Sequence, residues 1–314
     1  MSAFLKFCRS PRFSVGRFFL VVVATLCVLL GALRFLFPIE WEHQLSASTW
    51  AWVTAFALVT LGNCFFEYFF HRYILHRPSF RILAYFYRQH TKHHGLTCIR
   101  RRRTPSGKYI ACVENRFPIT EPEQDEASFF PWYTLGVFAL SISPFLAGLQ
   151  WIFPAFPWFL AGYSALASSL TLYEVFHFVE HWPIEKWTPL FDHPRWGRAA
   201  RLIYGFHLRH HAVIDSNESV SGFFGLPVAD WVFGTCVIPA TLYTKDAYAP
   251  TDFERPIPYA FIRRIDLWVE SRIRRHRLRS RSKPEVGKTD ADFPFNVLSF
   301  SGLRRALFAL LRRR

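Results

Sequence analysis

Ten of the chain's thirteen histidines fall into four short clusters. His90, His93 and His94 are spaced H-x-x-H-H, and His207, His210 and His211 repeat that spacing. His71 and His76 form an H-x4-H pair, and His177 and His181 an H-x3-H pair. At this histidine content a given window matches H-x-x-H-H by chance on the order of once in ten thousand. Two copies beside two pairs are therefore no accident of composition. On a helix, positions i, i+3 and i+4 share a face, so each run is expected to present three imidazoles to one point. Neutral imidazole is the commonest side-chain metal ligand. Ten such ligands exceed the shell of a single transition-metal ion, and two ions with four or five histidines each is the natural count. His43, His193 and His276 stand alone and read as surface or hydrogen-bonded residues.

The elements that must position these clusters are apolar. Of 314 residues 51% are hydrophobic and 18% aromatic, 35 of them Phe, yet the formal net charge is +15. Segregation reconciles the two: apolar residues lie in long blocks, with Arg and Lys between and after them. Phe18 to Leu33 is uncharged and is extended past Arg34 to Ile39, with Pro38 expected to stop it. Residues 39–45 read as a short acidic connection. A second block runs from Leu45 to Phe70, broken only by Glu67, and ends at His71. No charge occurs in the 47 residues from Ala127 to Tyr173, enough for two spans joined near Pro154 and Pro157 at ~20 residues per crossing. The second of these is expected to continue as one helix through Glu174 into His177 and His181.

The expected architecture is an all-α integral membrane protein with about four transmembrane helices and a cytoplasmic helical cap holding a dinuclear metal site. A basic N-terminus (1–17) precedes a first transmembrane hairpin (18–70) and a cytoplasmic segment with the first two histidine clusters (71–128). A second hairpin (129–176), a segment with the last two clusters (177–257) and a basic amphipathic tail (258–314) follow. The N-terminal apolar run, preceded by Lys6, Arg9, Arg12 and Arg17, is read as a retained membrane helix because no small-residue cleavage site follows it. Lys and Arg are rich in the segments flanking the blocks and missing from 39–45, which places both termini and all four clusters on the cytoplasmic side. The six cysteines form no C-x-x-C pair and read as reduced. The arginine-rich stretch from Pro258, and its repeat at Leu303 to Arg314, reads as a basic amphipathic helix on the membrane. Nucleic-acid binding is disfavoured, since the charges lie beside the spans.

In this order, H-x4-H, H-x-x-H-H, H-x3-H and H-x-x-H-H, followed by Asp230-Trp231-Val232-Phe233-Gly234-Thr235, the chain resembles the fatty acid hydroxylase/sterol desaturase superfamily of integral-membrane oxygenases, whose histidine boxes end in a similar D-x-x-F-G-T. The resemblance covers roughly Glu67 to Thr235. It implies that His71, His76, His90, His93, His94, His177, His181, His207, His210 and His211 ligate two non-haem iron ions. It also implies O2-dependent hydroxylation or desaturation of a lipid taken from the bilayer, such as a fatty acyl chain or sterol. Glu67, Glu174 and Glu180 are candidates to accept an imidazole N–H and orient a ligand. The chain has no G-x-G-x-x-G after a strand and no C-x-x-C-H, so electrons must come from an external donor: a reductase, or a cytochrome b5-like or ferredoxin-like carrier. The long connection between His94 and Phe129, with Arg100 to Arg103 and an acidic run from Glu121, maps to no substrate subtype. From other classes, a histidine-rich metal transporter or sensor and a structural metal-binding membrane protein without turnover are the competing readings.

Overall fold

The computed structural model describes residues 14–243 and 248–281. The basic residues before 14 and the Leu303 to Arg314 repeat lie outside the described residues. Two compact units are distinguished, residues 1–269 and 270–314; of the second, the described part is helical to Arg281.

The fold is mostly helical. Helix α1 (Val15–Leu36) ends at Phe37, and α2 (Pro38–Ser46) follows at once. Pro38 therefore starts a helix rather than only stopping one, since its missing N–H costs nothing at a first helical position. The expected acidic connection is thus helical. Its Gln44 side chain accepts from the main-chain N–H groups of Phe159 and Leu160 at 3.0 and 3.1 Å, which satisfies the free amides at the start of a later helix. Helix α3 (Thr49–Phe70) passes directly into a π-helical turn, His71–Leu75. Helix α4 (Ala84–Leu96) carries the first H-x-x-H-H.

The segment that follows α4 is not all helix. Strands β1 (Ile99–Arg103) and β2 (Tyr109–Asn115) pair antiparallel, with Ile99 opposite Asn115 and Arg103 opposite Tyr109. Gly107 adopts φ +83 in the connecting turn, a conformation that favours glycine. Helices α5 (Pro122–Ser128), α6 (Thr134–Ile152), α7 (Trp158–Glu180), α8 (Ile184–Phe191), α9 (Gly197–Ala212), α10 (Val228–Phe233) and α11 (Ala260–Arg281) complete the order.

Among the described residues three helices are long and apolar enough to cross a membrane: Val15–Leu36, Thr49–Leu75 and Thr134–Ile152. Helix α7 is longer than α6 but less apolar, with Ser164, Ser168, Ser169, Tyr173 and Glu174 in its length. It contacts α1, α3 and α6, so its surroundings are largely protein. Ala161, Ala165 and Ala167 on α7 are buried against Ala55, Val59, Ala139 and Leu146. A Cβ added at Gly162 would stand 2.8 Å from the Leu146 methyls. Small side chains on α7 thus let the helices approach closely, as in membrane bundles. A second core joins the hairpin to α8 and α9 through Ile99, Val113, Phe117, Trp187, Tyr204 and Leu208.

Candidate metal centre

Helices α3 and α7 each run from the apolar core into histidines. His71 follows α3 without a break, His177 is in the last turn of α7, and His181 caps it. Helices α4 and α9 supply the two H-x-x-H-H runs. The ten clustered histidines converge as two groups of five. One comprises His71, His76, His90, His94 and His210; the other comprises His93, His177, His181, His207 and His211. Within each group the ligating nitrogens all lie within 4.8 Å of one another. The groups touch, with the His94 and His211 rings stacked at 4.1 Å between centroids.

This partition corrects one expectation. Each H-x-x-H-H does not aim all three imidazoles at one point. His90 and His94 serve the first group while His93 serves the second; His207 and His211 serve the second while His210 serves the first. Helix geometry explains the split. At about 100° per residue, i and i+4 diverge by only about 40°, while i+3 lies about 60° to the other side of i. Each run therefore gives two ligands to one group and one to its neighbour, and the two runs do so in opposite senses.

Hydrogen bonding fixes several tautomers. The Nδ1 atoms of His71, His181, His210 and His211 lie 2.6–3.1 Å from the main-chain oxygens of Glu218, Phe117, Ser216 and Thr97. A carbonyl only accepts, so these Nδ1 atoms carry the proton and their Nε2 atoms present lone pairs. For His93 the inference passes through a hydroxyl. Ser128 Oγ is 2.6 Å from the Gln124 carbonyl, to which it must donate, so it accepts from His93 Nδ1 at 2.8 Å.

The Nε2 atoms crowd together. His90 Nε2 lies 2.9, 3.2 and 3.0 Å from those of His71, His76 and His94, and His76 lies 3.0 Å from His210. In the second group the separations are 3.2 Å for His93–His177, 3.1 Å for His181–His207 and 3.2 Å for His207–His211. One imidazole N–H cannot satisfy three neighbours, and facing lone pairs repel. A cation at the centre of each group removes that conflict. With a metal–nitrogen bond of about 2.1 Å, ligands at right angles stand about 3.0 Å apart and tetrahedral ones about 3.4 Å. The observed separations of 2.9–3.2 Å fall near that range, so nitrogens of each group are close enough to share an ion.

Electrostatics agrees. Burial, reinforced by neighbouring histidines, holds His90, His93, His94, His207, His210 and His211 well below the usual histidine range. Burial lowers His181 to about 3. Neutral imidazole is the form that ligates metal.

The three carboxylates singled out from the sequence divide. Glu67 accepts from the main-chain N–H groups of Ser221 and Gly222 and from the Ser221 hydroxyl, so it fixes a loop. Glu174 accepts from Phe130 N–H at 3.0 Å. Only Glu180 faces a ligand: its Oε2 is 3.9 Å from His207 Nδ1, and neither atom has a hydrogen-bond partner among the described residues. The groups that orient imidazoles are mostly main-chain oxygens, together with Ser128, Thr97 and the 216–218 loop. Sequence reading passes over these because a carbonyl has no residue signature. The D-x-x-F-G-T stretch does have one. Asp230 accepts from Glu218 and Ser219 N–H, both at 2.9 Å, and from Thr235 Oγ at 2.7 Å, so it shapes the loop whose carbonyls hold His71 and His210. His43 and His193 lie outside both groups, and the His276 side chain is outside the described residues.

Two cavities border the first group. One is lined by Asn63, Phe66, Phe70, Phe138, Leu166 and Leu170 and reaches His71; the other, lined by Tyr85, Phe86, Phe129 and Pro131, reaches His90. Leu75, Phe130 and Tyr173 line both.

Compared with family models, curated proteins and solved structures, the chain matches none.

Proposed function

We propose that the chain is a membrane-bound di-iron oxygenase of the fatty acid hydroxylase/sterol desaturase type, which uses O2 and externally supplied electrons to hydroxylate or desaturate a lipid. The observation that carries this reading is the mostly apolar cavity between α3, α6 and α7 that ends at His71. A metal-binding protein without turnover needs no such space beside its ligands, whereas an oxidase of alkyl chains does. In this reading α7 is a fourth span, the histidine groups lie at the cytoplasmic face, and the substrate enters from the bilayer.

When bound, the iron pair supplies an O2-derived oxidant able to take hydrogen from an unactivated C–H bond. The chain's own residues do the rest. Carbonyls hold the Nδ1 protons of His71, His181, His210 and His211, and Ser128 holds that of His93, so these five Nε2 lone pairs are aimed before any ion arrives. Phe66, Phe70, Phe138 and Leu170 exclude water and hold an apolar chain, while Leu75, Phe130 and Tyr173 flank the passage to His90. Asn63, whose amide donates to Ser169 Oγ at 3.1 Å, is a polar point in that wall. Its place two turns before His71 puts it about 12 Å along the helix from the ligand.

The test is untargeted lipid mass spectrometry of cells producing the chain or its His210→Ala variant. The expected result is a lipid carrying one more oxygen, or two fewer hydrogens, present only with the unaltered chain. Identical lipids from both, with the chain in the membrane and loaded with iron, reject the reading. Histidine-dependent metal flux in proteoliposomes would favour the transporter instead.

A further inference from the structure

The two histidine groups are held by different means. In the second group the hydrogen-bonded orienting partners are neutral, the Phe117 and Thr97 carbonyls and the Ser128 hydroxyl, and the carboxylate of Glu180 stands off at 3.9 Å from His207 Nδ1. In the first group, two of the five ligands are aimed by one short loop, through Ser216 O to His210 and Glu218 O to His71. That loop is tied down by buried charge.

Arg72, next in sequence to His71, is 2% exposed. Its Nη1 donates to Asp215 O at 3.0 Å and to Glu218 Oε1 at 2.9 Å. Its Nε and Nη2 grip both oxygens of Asp266 on α11, at 3.0 and 2.7 Å. Arg77 joins Asp266 to Asp215 at 2.7 and 3.2 Å, and Arg255 meets Asp215 at 3.3 Å. Three cations thus face three carboxylates, and Asp266 is the carboxylate contributed by α11. A buried ion pair is weak evidence for stability, because desolvation offsets most of the attraction. Its value lies in geometry: a bidentate guanidinium–carboxylate pair fixes both partners in direction.

We propose that Arg72 and Asp266 are positioning residues for the metal ion of the first group, and that the second group binds its ion independently of them. Two effects act together. The pair fixes the loop that aims His71 and His210. The carboxylates also neutralise a guanidinium beside a site that must accept a dication. The inference rests on the metal-binding part of the proposed function and not on lipid oxidation.

The test is metal stoichiometry of the full-length chain in detergent, loaded with zinc(II) and dialysed against a graded chelator. The unaltered chain is expected to retain two equivalents. Asp266→Asn, which keeps the shape and removes the charge, is expected to retain about one. Asp266→Glu, which restores the charge, should recover at least part of the second. His177→Ala in the Asp266→Asn background should then remove the remaining equivalent, locating it in the second group. Retention of two equivalents by Asp266→Asn overturns the proposal, and so does loss of both at the same chelator concentration. If the unaltered chain holds two ions but leaves lipids unchanged, the oxygenase reading fails while this one stands.

Discussion

Ser128→Ala isolates the orientation of one ligand without touching any ligand. Ser128 Oγ donates to Gln124 O and accepts from His93 Nδ1, and among the described residues no other hydrogen bond to the His93 ring nitrogens competes except the Nε2 contact with His177. Removing the hydroxyl leaves a buried N–H without an acceptor, at about 1–3 kcal/mol. The ring can escape this cost by moving its proton to Nε2, which removes the lone pair that faces the second group. Binding a metal must then reverse that choice. Loss of such an orienting partner typically weakens metal affinity about 10–100-fold, which is about 1.4–2.7 kcal/mol and agrees with the hydrogen-bond figure. Only the second group contains His93. In the zinc–chelator titration one of the two equivalents should therefore leave at about 10–100-fold lower chelator, while the other is unmoved. Ser141→Ala, whose hydroxyl donates to the Val137 carbonyl on an exposed helix face, is the matched control. An unchanged Ser128→Ala curve, or an equal shift of both equivalents, would refute the tautomer argument.

Two further predictions concern stability. Gly222 has φ +52, and a Cβ there would stand 2.3 Å from Leu226 O, so Gly222→Ala should cost about 1–3 kcal/mol from backbone strain alone; a thermal shift in detergent reads this, with Gly148→Ala, which meets nothing within 4 Å, as the neutral comparison. The metal-free chain should lose stability as pH falls: burial lowers His181 to about 3 against an unfolded value of about 6.5, so between those values only the unfolded chain takes up the proton. Chelator-treated chain should therefore melt at lower temperature at pH 5 than at pH 7.5, and a flat profile would show that the histidines are not buried in neutral form.

How much of this was legible in the sequence depends on whether a residue acts through its side chain. The ten histidines were legible because their spacing is periodic and their chemistry lies in the ring. The apolar blocks that become α1, α3 and α6 were legible because a long uncharged run has few other uses. The partition of H-x-x-H-H between two groups was not read, although the 100° step contains it; treating i, i+3 and i+4 as one face discards the angle that separates them. The β1–β2 hairpin was hidden by its four arginines, which read as a solvated basic run rather than as a strand. Most orienting groups are carbonyls, fixed by where the chain turns. Glu67 looked like a ligand partner from its place one turn before His71, yet the fold turns it toward Ser221 and Gly222. Asp266 lies 194 residues from Arg72, and nothing local marks the two as partners. The same fact gives the centre its character. Its histidines come from the turn after α3, from α4, from the end of α7 and from α9, and its orienting groups from the hairpin ends, α5 and the 216–218 loop, so the site forms only when the apolar core and these surrounding segments are both in place. A metal ion bound there therefore acts on the stability of the whole helical unit, since binding to the folded state alone shifts the folding equilibrium.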